Sequence, residues 1–178
     1  MLEIIVMSIY FMFPAYAANA APRILQRLNL LECLARPVDF GKSFYGKPIF
    51  GTHKTWRGLV QAPFLGAFVG LLQSIVWQPS YFPFQGIEEY VLLGVLLGSG
   101  AILGDLFFAF LKRRLGKKEG SKWVPFDQLN FVIGALALLN ILYVPPLAMI
   151  VAILIVSGML HIVANRIAYL MKIQKTKW

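Results

Sequence analysis

Every lysine and arginine of this chain falls into three segments, and the segments alternate with apolar runs. Residues 23–57 hold seven of them, residues 112–122 hold six and residues 166–177 hold four, which accounts for all 17. Between and before them lie apolar runs at about 1–21, 59–77, 90–111, 126–143 and 147–170. A bilayer core needs about 20 apolar residues of helix to cross it, so the runs read as five transmembrane helices, the fourth shorter than the rest. Five spans place all three cation segments on one side, and the two opposite loops carry neither lysine nor arginine. The positive-inside rule makes that side cytoplasmic, with the N terminus outside and the C terminus cytoplasmic. The expected fold class is therefore an all-α integral membrane protein with two basic cytoplasmic loops, 22–58 and 112–125, in one domain over 1–178.

Composition agrees, since 58% of the residues are hydrophobic against about 45–50% in a soluble domain. The net charge of +9 would suit a nucleic-acid binder, but such a protein has no need of this alternation, so no nucleic-acid partner is expected. Cys33 is alone, so it forms no intrachain disulfide, and two histidines are too few for ordinary zinc chemistry.

Residues 1–21 admit two readings, a retained helix or a cleaved leader with small residues at 15–21; the missing basic n-region favours the helix. Asn19 stands at its inner end. From Pro22, Ile24, Leu28, Leu31 and Ala35 recur at helical spacing among Arg23, Gln26 and Arg27, which predicts a separate short helix lying in the interface and ended by Pro37. Residues 39–58 form a glycine-punctuated basic loop. Residues 41–47 match G-x-x-x-x-G-K, but Pro48 stands where a Ser or Thr is required, so this is no P-loop. Glycine backbone that can approach phosphate, with Lys42, Lys47, Lys54 and Arg57 around it, fits either a phosphate-binding loop or a solvated basic loop. Gly66 and Gly70, and then Gly94, Gly98, Gly100 and Gly104, read as helix-packing faces. Trp77, Tyr81 and Phe82 read as an interfacial aromatic collar.

The chemistry concentrates in residues 104–131. Asp105 lies inside the third run, about 10 Å deeper than Lys112 and on the same face. An intramembrane acid is costly and needs a partner, which leaves two readings: a structural ion pair with Lys112 or Arg113, or a functional carboxylate. Asp127 opens the fourth run and is either a helix cap or dipole partner, or a second functional carboxylate. Taken together, two acids on consecutive spans joined through six cations can hold Mg²⁺ while the cations hold phosphate oxygens. His161 and Asn140 are expected as packed interior residues.

Gly104–Leu106 (GDL), Lys112–Arg114 (KRR) and residues 125–131 (PFDQLNF) resemble the archaeal CDP-archaeol synthase family, which is related to bacterial and eukaryotic phosphatidate cytidylyltransferases. The likeness extends to residues 14–22 (PAYAANAAP), 39–41 and 51–58 (GTHKTWRG), nearly the whole chain. One departure is Asn130, where the family is expected to show Asp more often. The resemblance implies transfer of CMP from CTP to an isoprenoid ether lipid phosphate at the cytoplasmic face of the cell membrane. It implies Mg²⁺ on Asp105 and Asp127, with Lys112 and Arg113 beside them in catalysis. Asn19, Asp39, Gly41, Lys42, Lys54, Thr55, Arg57, Arg114 and Gln128 would then be the substrate-binding set. The competing readings are a cytidylyltransferase for diacyl phosphatidic acid and, from a different class, a small membrane transporter; a CDP-alcohol phosphotransferase would need more acids.

Overall fold

The computed structural model describes residues 2–79 and 82–171. It is all-helical apart from one hairpin: α1 Leu2–Arg27, a short 3₁₀ turn at Glu32–Leu34, β1 Ser43–Phe44, β2 Lys47–Pro48, α2 Trp56–Val76, α3 Ile87–Arg114, α4 Phe126–Leu139 and α5 Leu147–Leu170. Four helices, α1, α2, α3 and α5, are long and apolar enough to cross a membrane. The fourth predicted run is shorter than expected. α4 has 14 residues, about 21 Å, and stops at Leu139 because the chain turns through residues 140–143 toward the Pro145–Pro146 corner. Asn140 is not interior; it is exposed at the C-terminal end of α4.

α1 corrects the sequence reading more substantially. It does not end near residue 21 and yield to a separate interfacial helix; it continues to Arg27 with Pro14 and Pro22 inside it. A proline lacks the N–H that would satisfy the carbonyl four residues before it. Those carbonyls belong to Tyr10 and Ala18, and each accepts a bond from a glutamine of α2: Gln73 Nε2 donates to the Tyr10 carbonyl (2.5 Å) and Gln61 Nε2 to the Ala18 carbonyl (3.0 Å). Both glutamines are buried. The helix runs through its prolines because its neighbour supplies the missing donors.

The same pairings fix direction. Tyr10 with Gln73 and Ala18 with Gln61 make α1 and α2 antiparallel. α3 runs back along α2 with Gly66 against Gly94 and Gly70 against Tyr90, and α4 runs back along α3 with Gly100 and Gly104 against Gly134. α5 lies parallel to α1, with Tyr16 bonded to Ser157 (2.6 Å) and Arg23 to Asn165 (2.9 Å). The C-terminal ends of α1, α3 and α5 and the N-terminal ends of α2 and α4 thus share one end of the bundle.

The opposite end is apolar and aromatic. Phe82 is 5% exposed and packs inward on Phe11 (5.5 Å between centroids) and Tyr90 (5.7 Å) rather than forming a collar, while Trp77 is 44% exposed. Tyr81, Lys172, Lys175 and Lys177 lie outside the described residues.

Candidate active site

The loop between α1 and α2 is ordered by one carboxylate. Asp39 accepts bonds from the backbone N–H groups of Gly41 (2.9 Å), Phe50 (2.9 Å) and Gly51 (3.2 Å). Burial pushes its pKa up, but the bonds from Phe50, Gly41 and Gly51 outweigh that and hold the carboxyl below the usual range. Between these anchors β1 and β2 pair through a two-residue turn in which Tyr45 (φ 49°) and Gly46 (φ 71°) are both left-handed. Arg114, at the end of α3, ties the hairpin down. Its guanidinium donates to the carbonyls of Phe44, Lys47 and Pro48 and lies 5.4 Å over the Phe44 ring, while Lys47 Nζ donates back to the Arg114 carbonyl (3.1 Å).

So held, the loop delivers Lys54 to α3. Lys54 Nζ lies 2.6 Å from Asp105 Oδ2, and Asp105 Oδ1 accepts from Asn130 Nδ2 of α4 (2.9 Å). Asp127 pairs with Lys112, whose Nζ is 2.8 Å from each carboxylate oxygen, and Asp127 Oδ2 accepts from the Trp123 backbone N–H (2.7 Å). The partners are therefore crossed relative to the expected ion pair. Lys112 is about 10 Å along its own helix from Asp105, beyond reach, so it serves Asp127 and a loop lysine serves Asp105. Asp127 is not the cap of α4, a position Pro125 occupies; it lies in the first turn, where an acid suits the helix dipole, and its oxygens face Lys112 and an upstream amide.

Both carboxylates and both lysines line the same space. A cavity of about 130 Å³ and an adjoining one of about 280 Å³ are each lined by Lys54, Asp105, Lys112, Asp127 and Asn130. A third, of about 450 Å³, opens from Lys54 and Asp105 toward Asn19, Thr55 and Arg57. Arg113 lines the first and Gln128 the second. Arg57, 6% exposed, also donates to the Leu30 carbonyl (3.1 Å). Asp39, Gly41, Lys42 and Arg114 line none of these cavities; Asp39 and Arg114 act on the loop itself, and Lys42 is exposed.

Sequence reading passed over Glu119. It closes the small cavity from the second basic loop, accepting from Thr52 N–H (3.1 Å) and Thr52 Oγ (2.8 Å), with His53 Nε2 at 3.9 Å. Burial pushes its pKa up, but the two Thr52 bonds and the nearby His53 and Arg113 charges bring it below the usual value. Asn130 was noted only as a departure, yet its amide donates to Asp105 across 25 residues of chain and orients it.

No group of three or more His, Cys, Asp or Glu clusters among the described residues. A divalent cation here would take two protein carboxylates and complete its shell from phosphate and water, the usual habit of Mg²⁺ and not of zinc. Asp105 and Asp127 fit that donor set, and each already has a lysine that can pass to phosphate.

A family model described as CarS-like, CDP-archaeol synthase, matches residues 1–178. The chain belongs to the CDP-archaeol synthase family. Membership makes it an enzyme, a CTP-dependent nucleotidyltransferase. The family's CDP-archaeol synthase from Methanocaldococcus jannaschii is 36% identical over 176 residues, covering 96% of this chain and 96% of the relative. The one from Pyrococcus furiosus is 35% identical over 170 residues, covering 95% of each. A solved intramembrane enzyme for archaeal membrane lipids biosynthesis superposes with a TM-score of 0.75 at 30% identity, covering 90% of this chain and 94% of that one. With four helices long and apolar enough to cross a membrane and an intramembrane enzyme as structural neighbour, this family member is a multi-pass membrane protein.

Proposed function

We propose that the chain transfers CMP from CTP to the phosphate of an unsaturated archaetidic acid, 2,3-bis-O-geranylgeranyl-sn-glycerol 1-phosphate, at the cytoplasmic face of the cell membrane. A lipid phosphate oxygen attacks the α-phosphorus of CTP. The bond from that phosphorus to the α–β bridging oxygen breaks, and pyrophosphate leaves. The attacking oxygen is already ionised at neutral pH, so no general base is required, and catalysis reduces to positioning and charge neutralisation. Bound Mg²⁺ would supply neutralisation of the triphosphate, held by Asp105 and Asp127. Lys54 and Lys112 would then exchange their carboxylates for phosphate oxygens, while Arg113 and Arg57 meet the leaving pyrophosphate from either side. The two lysine–aspartate pairs lining one cavity carry this reading.

The test is formation of CDP-lipid from radiolabelled CTP, with the isoprenoid ether lipid phosphate and with a diacyl phosphatidic acid as alternative acceptors, across a magnesium titration. Asp105→Asn and Asp127→Asn should each lower turnover at least about 100-fold, the scale of losing an electrostatic anchor for the reacting group, while the extracted protein stays monodisperse. Retention of most activity in either variant would reject the metal assignment.

A further inference from the structure

The catalytic cavity adjoins a space of a different kind. An apolar groove of about 340 Å³ runs between α1, α4 and α5 and includes Tyr16, Phe131, Leu160 and Ile167. Its outer wall is open, since Leu160, Val163 and Ile167 are 37%, 50% and 50% exposed. Asn19, Arg23, His161 and Asn165 border both this groove and the cavity that holds Asp105, Lys112 and Asp127. Asn19 and Arg23 are four residues apart on α1, and His161 and Asn165 four apart on α5, so each pair projects from one helix face. Among the described residues, Arg23 is the one lysine or arginine bordering the groove. Asn165, 6% exposed, accepts from Arg23 Nη1 at 2.9 Å and fixes that arm of the guanidinium.

We propose that Arg23 binds the phosphate of the lipid acceptor at this seam, with the isoprenoid chains in the α1–α4–α5 groove, and that Asn165 positions the guanidinium. The inference rests on the lipid-phosphate reading above and adds the residue that recognises the acceptor. An acceptor with apolar tails and a charged head has to straddle an apolar and a polar space, and the head must lie at their border. A guanidinium presents several donors in a fixed fork and matches a phosphate dianion. Held there, the acceptor's oxygens face the cavity of Asp105, Lys112 and Asp127, where CTP is proposed to bind. The transfer remains the one written above; Arg23 neither gains nor loses a proton.

Steady-state rates with each substrate varied separately test this. Arg23→Gln should raise the half-saturating concentration of the ether lipid phosphate at least about tenfold, the effect of losing one charge-assisted hydrogen bond, and leave that for CTP within about twofold. Arg23→Lys should recover part of the loss, and Asn165→Ala should show a smaller rise of the same kind. A second readout needs no turnover. The lipid phosphate should raise the melting temperature of the detergent-extracted wild type more than the corresponding lipid alcohol does, and in Arg23→Gln the two should act alike. An unchanged lipid dependence in Arg23→Gln, or an equal rise for both substrates, overturns the inference. If Arg23→Gln does not extract as one species, an unchanged lipid dependence in Asn165→Ala overturns it. If the wild type forms no CDP-lipid from any lipid phosphate, the underlying reading fails; if the wild type turns over and Arg23→Gln matches it, this inference alone fails.

Discussion

α3 and α5 are held in the bundle by opposite means. α5 is the most apolar of the long helices, yet only 11% of an apolar 18-residue stretch of it is buried, against 50% for α3. α3 is gripped by backbone. A Cβ on Gly66 or Gly94 would overlap the other's carbonyl oxygen, one on Gly100 would lie 2.6 Å from the Gly134 carbonyl, and one on Gly134 would overlap Gly100. α5 is joined to α1 by side-chain hydrogen bonds, Tyr16–Ser157 and Arg23–Asn165. In lipid, hydrophobicity does not drive helices together, because the tails are as apolar as the side chains; close approach and polar pairs do. The tight join carries the carboxylates. The loose one leaves the groove open to the surroundings.

The largest effect should come from filling the tight join. Gly134→Leu should abolish recovery of a monodisperse extracted protein, since overpacking costs about 1–3 kcal/mol even where neighbours give way and here the obstacle is backbone. Gly158→Ala, on α5, should be tolerated in the same chromatographic assay, because its Cβ would meet only the flexible end of Leu129 at 3.6 Å. Equal behaviour of the two variants would erase the contrast.

Next comes the α1–α2 contact. Gln61→Leu strands the Ala18 carbonyl and should lower stability by about 1–3 kcal/mol in thermal unfolding. Pro22→Ala restores the missing intrahelical donor, so the double variant should lose less than Gln61→Leu alone. Ser157→Ala, at the loose join, should cost about 0.6 kcal/mol by the same measurement, the average for hydrogen bonds between membrane helices.

The smallest effect is confined to the hairpin loop, which belongs to neither join. Asp39 has a depressed pKa, so its stabilisation is fully present above the ordinary carboxylate value of about 3.9 and is lost as pH falls through the lower folded value. The amide resonances of Phe50 and Gly51 should move in that acid window, and in Asp39→Asn they should not.

Four long apolar helices were legible because apolar length is written locally in the chain. The true length of α1 was not, since Pro22 reads as a stop until Gln61, 39 residues later, is known to lie beside Ala18. The hairpin was illegible because its strands are two residues each. At the site, Asp105, Asp127 and Lys112 stood out as charges beside apolar sequence, and Lys54 as a cation of the glycine-punctuated loop. Their crossed pairing did not, because it depends on how Asp39 folds the loop back over α3. Arg23 and Asn165 are separated by 142 residues, and nothing local to either marks the other as its partner.

The proline–glutamine pairs also bear on biogenesis. Alone in hydrocarbon, α1 would present two backbone carbonyls with no donor, a burden of several kcal/mol for each polar group left so. α2 alone would leave the Gln73 amide without its acceptor and the Gln61 amide with only its own Gly58 carbonyl at 3.3 Å. Each helix is thus costlier in the bilayer alone than beside the other, and the α1–α2 hairpin of two spanning helices completes its own backbone without help from α3.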